Sequence, residues 1–274
     1  MCTKNIESII TDTYSLNSVF LNREVIIDCY YSEDYFNHLL ISLLLINDGQ
    51  DLRTMQYEDI LEKVYKTGNI EPVFCVGIHC STDRKNEYGT AQILDYKGRG
   101  AKAALYTQFV MEELIPFIRD TYKIISFKEK SFAGFSLGGL CALDIVWNQP
   151  NEFFKVGVFS GSLWWRDKDQ EDPDFNEDTD RIMQRQVREG SHFPWLKFFF
   201  EVGTQDETAD RNNNGVIDSI DDALGLIEEL KTKGYKSDSI EYLEMKDGRH
   251  DVPTWANAFP AFLEWGWGKG EAGM

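Results

Sequence analysis

Apolar and polar positions along this chain fall into blocks whose period changes from two to about 3.6. Residues 6–36 carry short alternating stretches, such as 25–31, which predict antiparallel strands at one edge of a sheet. Continuous apolar runs at 39–46, 73–78, 130–135 and 155–159 predict buried strands, and 196–202 and 239–245 extend the series. Between them, 59–65, 137–148 and 220–233 have helical character. A long amphipathic helix is predicted over 101–122, with Leu105, Phe109, Leu114 and Phe117 on one side. The alternation of strand and helix predicts an α/β architecture, a mostly parallel central sheet with helices on both faces. One domain spans 1–274. Residues 163–195 break the alternation and predict an insertion or lid over the site.

Within this pattern, Gly134-Phe135-Ser136-Leu137-Gly138 joins strand 130–135 to helix 137–148. It is a G-x-S-x-G nucleophile elbow in the strand–turn–helix setting that such a serine needs. A serine on that turn projects from the sheet edge, with a helix N-terminus beneath the anion formed during acyl transfer. The N–H of Leu137, the residue after the nucleophile, is one expected oxyanion donor.

A serine nucleophile needs a base, and the base an orienting acid, in the chain order Ser, Asp or Glu, His. Strand 196–202 runs into Asp206-Glu207, and strand 239–245 runs into His250. Both loops follow C-terminal strand ends, where open α/β sheets place their chemistry. Of the four histidines, His38, His79 and His192 precede a strand, follow a strand and lie in a charged irregular stretch respectively. His250 alone has the order and the setting of the base. Asp206 is the expected acid, with Glu207 as its rival.

These residues carry a resemblance. LLLINDGQ at 43–50, the segment at 98–122, AGFSLGGLCAL at 133–143, SGSLWW at 160–165 and the pattern at 248–265 resemble the esterase family that includes enterochelin (siderophore) esterases and proteins of the esterase D and feruloyl-esterase type. The resemblance covers about residues 20–267. It implies an α/β-hydrolase fold, a Ser136–His250–Asp206 mechanism and ester substrates. It also implies that the Gln50 backbone supplies the second oxyanion donor. Trp164 and Trp165 follow a strand and are candidates to line a substrate pocket, whereas Trp255 and Trp265 read as packing.

A second motif is independent. Asp210, Asn212, Asn214, Gly215, Val216, Asp218 and Asp221 follow the spacing of a calcium loop, D-x-[DN]-x-[DN]-G-x₅-E, with Asp in the last place. Val216 would offer its carbonyl and Ile217 would pack inward. The stretch resembles EF-hand and dockerin loops. A structural Ca²⁺ is therefore expected here, and no cofactor is expected in catalysis.

Composition narrows the picture further. The net charge of −18 argues against nucleic acid and anionic membrane surfaces as partners. It argues mildly against strongly anionic substrates, since no arginine cluster is visible near the catalytic segments. Eight of the fourteen residues from 167 to 180 are Asp or Glu, which reads as a solvated surface loop. Arg84 and Arg99 are candidates to recognise a substrate carboxylate, but read first as members of surface ion pairs. Five cysteines without C-x-x-C spacing, no apolar leader and no apolar stretch of membrane-spanning length predict reduced thiols in a cytoplasmic protein.

The leading function is a serine esterase acting on small-molecule esters, carbohydrate acyl or small carboxyl esters. A siderophore-ester or thioester hydrolase is the nearest alternative. The alternative from another class is a calcium-binding interaction protein on an inactive hydrolase scaffold.

Overall fold

The structure is a computed structural model that describes residues 8–33 and 40–269. His38, and the first residue of the strand expected at 39–46, lie outside the described residues. Among the described residues, eight strands form one sheet: β1 (Ile9–Ser18), β2 (Arg23–Ser32), β3 (Ser42–Asn47), β4 (Val73–Ile78), β5 (Lys130–Phe135), β6 (Lys155–Phe159), β7 (Lys197–Gln205) and β8 (Ile240–Arg249). Their order is β1-β2-β4-β3-β5-β6-β7-β8. The β1–β2 and β2–β4 pairs are antiparallel and every other pair is parallel. The antiparallel edge and the parallel centre are those the hydrophobic pattern predicts.

The helices are α1 (Tyr57–Lys66), α2 (Arg84–Glu87), α3 (Ala103–Gln108), α4 (Ile115–Tyr122), α5 (Leu137–Asn148), α6 (Glu177–Asp180), α7 (Ile182–Glu189), α8 (Asp218–Lys233) and α9 (Val252–Trp267). The sheet separates two apolar cores. One is closed by α1 and α9, the other by α3, α4, α5, α7 and α8. Helix α5 is buried from Leu137 to Trp147 and apolar but for Asp144, whose carboxylate accepts from Ala91 N, Asn148 Nδ2 and Gln186 Nε2.

The expected helix at 101–122 starts at Ala103 and contains a π-helical turn at Phe109–Leu114. Pro116 follows that turn, and a proline ring would clash with the carbonyl four residues before it in a regular helix. The wider turn rotates the apolar face. Tyr106, Phe109, Val110, Leu114, Ile118 and Tyr122 are buried, whereas Leu105 is 37% exposed. Leu105 precedes that turn and leaves the face it is expected to share with Phe109 and Leu114, because α3 buries Tyr106 in its place.

The insertion at 163–195 holds α6 and α7, and α7 packs against α8. Its acidic run is only partly a solvated loop. Asp180 is buried, Asp167 pairs with Arg185, and Glu177 pairs with Arg181 and Arg211. Among the described residues, no helix is long and apolar enough to cross a membrane. Cys29, Cys75, Cys80 and Cys141 are free thiols, and all but Cys80 are buried.

Candidate active site

Ser136 sits between β5 and α5 at φ 54°, ψ −122°. That is a strained conformation for a residue with a side chain, held only where surrounding contacts enforce it. Here Ser136 N donates to Phe159 O at 2.8 Å, and Ser136 O accepts from Ser162 N at 3.1 Å. A Cβ on Gly134 would lie 2.3 Å from Gly138 O, so strand and helix close on each other only because position 134 is glycine, while a Cβ on Gly138 would lie 2.5 Å from Asp48 Oδ2. Leu137 opens α5, and its N–H is one of the four that a helix cannot satisfy internally.

The oxyanion-side loop is tied to this elbow. Asn47 Nδ2 donates to Gly138 O at 2.8 Å, and Tyr106 Oη donates to Asn47 Oδ1 at 2.6 Å. Asp48 adopts φ 60° and receives a two-pronged contact from Arg84, Nε to Oδ1 and Nη2 to Oδ2, both at 2.7 Å. Arg84 also donates to Phe135 O at 3.2 Å, immediately before Ser136. Burial opposes the guanidinium charge, but the hydrogen bonds and charge of Asp48 outweigh it and hold Arg84 above its ordinary pKa. Arg84 is therefore a clamp between two loops of the site and not a surface ion pair. Gln50 lies in the short turn at Gly49–Asp51, where its Oε1 accepts from Cys80 N at 3.1 Å.

Strands β7 and β8 bring the acid and the base together. Gln205 pairs with Arg249 after a register shift, so the next residues, Asp206 and His250, leave the sheet side by side. A Cβ on Gly203 would lie 2.5 Å from Gly248 and 2.6 Å from Asp206 Oδ1, so the acid folds back over a bare backbone. His250 Nδ1 is 3.7 Å from Asp206 Oδ2, with the side chains 41% and 1% exposed respectively. This is an ion-pair distance, longer than a hydrogen bond. No hydrogen bond joins Ser136 to His250 among the described residues. Contacts of this kind are commonly long before substrate is bound. The His250 ring packs edge-on against Trp255 at 5.4 Å, and Trp255 Nε1 donates to Ser160 Oγ at 2.9 Å.

Glu207 turns the other way. Burial raises the pKa of its carboxylate, and the Ser219 backbone at the start of α8 opposes that shift. His79 and His192 take structural places. His79 Nε2 lies 2.8 Å from Asp28 Oδ2, and His192 stacks near Tyr235 with centroids 4.5 Å apart.

Glu201 escaped the sequence reading, although a carboxylate inside LKFFFEV is the kind of buried polar residue that marks a site. It is fully buried, and neither its carboxylate oxygens nor those of Asp206 have a hydrogen-bond partner. Burial first, and the Asp206 charge second, push its pKa up to about 8. Between the ordinary value of 4.5 and about 8, the folded protein therefore holds a proton that the unfolded chain releases. Stability must fall as pH rises through that window, and the loss is complete above it. Glu201→Gln should match the wild type near pH 4 and exceed it by more than about 1 kcal/mol at pH 9. Urea midpoints at the two pH values measure this, and a constant difference would contradict it.

Trp164 and Trp165 part company. Trp165 is fully buried against Gly89 and Gly100, so it is core and does not line a pocket. Trp164 lines a cleft of about 300 Å³ with Tyr96, Lys97, Arg99, Arg166 and Glu207 among its walls. Four cations, Lys97, Arg99, Arg166 and Arg211, line this cleft, so the absence of an arginine cluster near the site was incorrect. They come from three segments far apart in sequence.

In the 210–221 loop, Asp210 accepts from Asn214 N at 3.1 Å and Gly215 N at 2.9 Å. The amides of Asn212 and Asn214 both donate to Asp221 Oδ2 at 2.8 Å, and Asp218 Oδ1 accepts from Arg211 N at 2.8 Å. Val216 N donates to Asn214 Oδ1, and Ile217 packs against the core. Among the described residues, no three His, Cys, Asp or Glu side chains gather as a metal site.

Comparison with known proteins assigns the class. The model of the family described as "Putative esterase" matches residues 18–265, and the chain belongs to that family. It is a carboxylic ester hydrolase of α/β-hydrolase fold. It is similar to two Bacillus subtilis proteins, the uncharacterized YbbA and YjcH. Both are 22% identical to it, over 82% and 86% of this chain and 84% and 88% of theirs. Among solved structures it is similar to the enterobactin esterase FES of Shigella flexneri, at 19% identity, TM-score 0.69 and 93% of this chain. The match spans 58% of the length of FES. It is also similar to a ferulic acid esterase, at 16% identity and TM-score 0.68, over 93% of this chain and 96% of that one. The siderophore hydrolase EstB of Aspergillus nidulans matches at 16% identity and TM-score 0.68, over 93% and 95%.

Proposed function

We propose that this enzyme cleaves small-molecule carboxylic esters, carbohydrate acyl or small carboxyl esters, through an acyl-enzyme on Ser136. One observation carries the reading. The Gln205–Arg249 pairing sets Asp206 beside His250 at the same sheet end as the strained Ser136. Ser136 Oγ attacks the ester carbonyl while His250 Nε2 takes its proton. His250 then returns that proton to the leaving alcohol and afterwards activates water. Asp206, facing Nδ1, fixes the ring tautomer and stabilises the imidazolium. The N–H groups of Leu137 and Gln50 hold the oxyanion. Turnover of p-nitrophenyl acetate, lost in Ser136→Ala, tests the reading. Wild-type inactivity would leave the inactive-scaffold alternative. The similarity to the enterobactin esterase FES and the siderophore hydrolase EstB favours siderophore esters as the second substrate class, and a substrate panel separates the two.

The calcium reading of the 210–221 loop belongs here as well. It is supported by the spacing alone, since the amides of Asn212 and Asn214 turn N–H donors toward Asp221 and would have to turn over to offer oxygens to an ion. Titrating chelated protein with Ca²⁺ should release heat and raise the melting temperature, since a ligand at a hundredfold excess over Kd stabilises by about 2.7 kcal/mol. Ester turnover should change far less. No heat and an unmoved melting temperature would remove the ion. The free, mostly buried thiols support a reducing, cytoplasmic setting.

A further inference from the structure

The cleft lined by Trp164 lies at the same end of the sheet as the site, beyond the C-terminal ends of β6 and β7. Glu207 follows Asp206, and Trp164 lies two residues beyond Ser162, whose N–H bonds to Ser136 O. Its cations differ in how they are occupied. Arg99 pairs with Asp95, and Arg211 pairs with Glu177, Asp218 and Asp222. Asp218 and Asp222, two of the three carboxylates in the cleft, are thereby taken, and Glu207 is held at the Ser219 N–H. Lys97 and Arg166 enter no ion pair among the described residues.

Arg166 is the more telling of the two. Its Nε is buried with no hydrogen-bond partner. Its guanidinium lies 5.1 Å from the Tyr96 ring, 5.8 Å from Trp164 and 5.9 Å from Phe175. Nη1 reaches only Trp164 O, at 3.4 Å. The chain carries 46 Asp and Glu against 28 Lys and Arg, so carboxylate partners are abundant. A guanidinium held by rings beside an open cleft, with no carboxylate of its own, is built to receive an anion from outside.

We propose that this cleft binds a free carboxylate at the far end of the ester substrate, received by Arg166 and Lys97, with Trp164 and Tyr96 flanking the chain that leads to it. The volume of about 300 Å³ suits a short chain or a single ring. The inference rests on the ester-hydrolase reading and deepens it, making the enzyme selective for esters that carry one negative charge. The three carboxylates that share the cleft and the net charge of −18 work against anion binding at long range, so binding rests on the two cations, Arg166 and Lys97, that those carboxylates leave unpaired among the described residues.

Two charged and neutral ester pairs test it: mono-4-nitrophenyl adipate against 4-nitrophenyl hexanoate, and 4-carboxyphenyl acetate against 4-methylphenyl acetate. The wild type should prefer the charged member of at least one pair by about tenfold in kcat/KM, mainly through KM, with the preference shrinking as salt is raised. Arg166→Gln should bring that ratio near one. Arg166→Lys should retain part of it, and Lys97→Gln, at an exposed position, should reduce it without risk to folding. Preference for the neutral ester in both pairs, or a charge preference that survives both Arg166→Gln and Lys97→Gln, would overturn the inference alone. No turnover of any ester would overturn the hydrolase reading and this inference with it.

Discussion

Ser136→Ala and His250→Ala should each lower kcat for ester hydrolysis by about 10⁴ or more, and the double variant should be little worse than either. The non-additivity follows from the chemistry. Without the base, the serine hydroxyl is a weak nucleophile; without the serine, the base has no proton to take. A small residual rate should persist from the Leu137 and Gln50 N–H groups. Both variants should fold, since Ser136 contributes its backbone and not its hydroxyl to the elbow, and His250 is 41% exposed. Stopped-flow burst and steady-state rates with p-nitrophenyl acetate measure the effect. Near-normal turnover in His250→Ala would transfer the base elsewhere. His79 is already committed to Asp28 and His192 to Tyr235, so neither is placed to take over.

Asp206→Asn should cost on the order of 10⁴ in kcat, whereas Glu207→Gln should cost less than about tenfold. Adjacent residues of similar chemistry are expected to differ this much because β7 ends at Gln205 and the two side chains have different neighbours beyond it. Asp206 folds back over Gly203 towards His250 Nδ1, and Glu207 reaches the N-terminus of α8. Asparagine at 206 would present an amide donor to Nδ1 and favour the wrong ring tautomer. Glu207→Gln keeps an oxygen for the Ser219 N–H and loses only charge. The pH profile of kcat distinguishes the cases further, since loss of the orienting carboxylate removes the partner of the imidazolium. The reverse ranking would assign the acid to Glu207.

The sequence revealed what depends on local pattern. Strands 73–78, 130–135 and 155–159 and helix 137–148 match to the residue, because long apolar runs bounded by turn residues leave little freedom. Ser136 was legible because an elbow needs its glycines at fixed positions. Asp206 and His250 were legible as loop residues after strands, but their adjacency is a property of the β7–β8 register. What remained hidden was made by distant segments meeting. Arg84 reads as a surface charge until Asp48 and Phe135 O appear beside it. The cleft cations at 97, 99, 166 and 211 are too scattered to look like a cluster in one dimension. Trp165 and Trp164 cannot be told apart by composition, since burial against Gly89 and Gly100 decides which is core. The π-helical turn ahead of Pro116 shifted the helix face by a residue, which a strict 3.6-residue period cannot anticipate.

The central claim, that Ser136 is an activated nucleophile, is tested most directly by reacting the protein with a fluorophosphonate and measuring its intact mass and peptide map. One adduct per chain is predicted, on Ser136. It should form quickly in the wild type, slowly in His250→Ala and not at all in Ser136→Ala. No adduct in the wild type, or an adduct on another residue that survives Ser136→Ala, would contradict it.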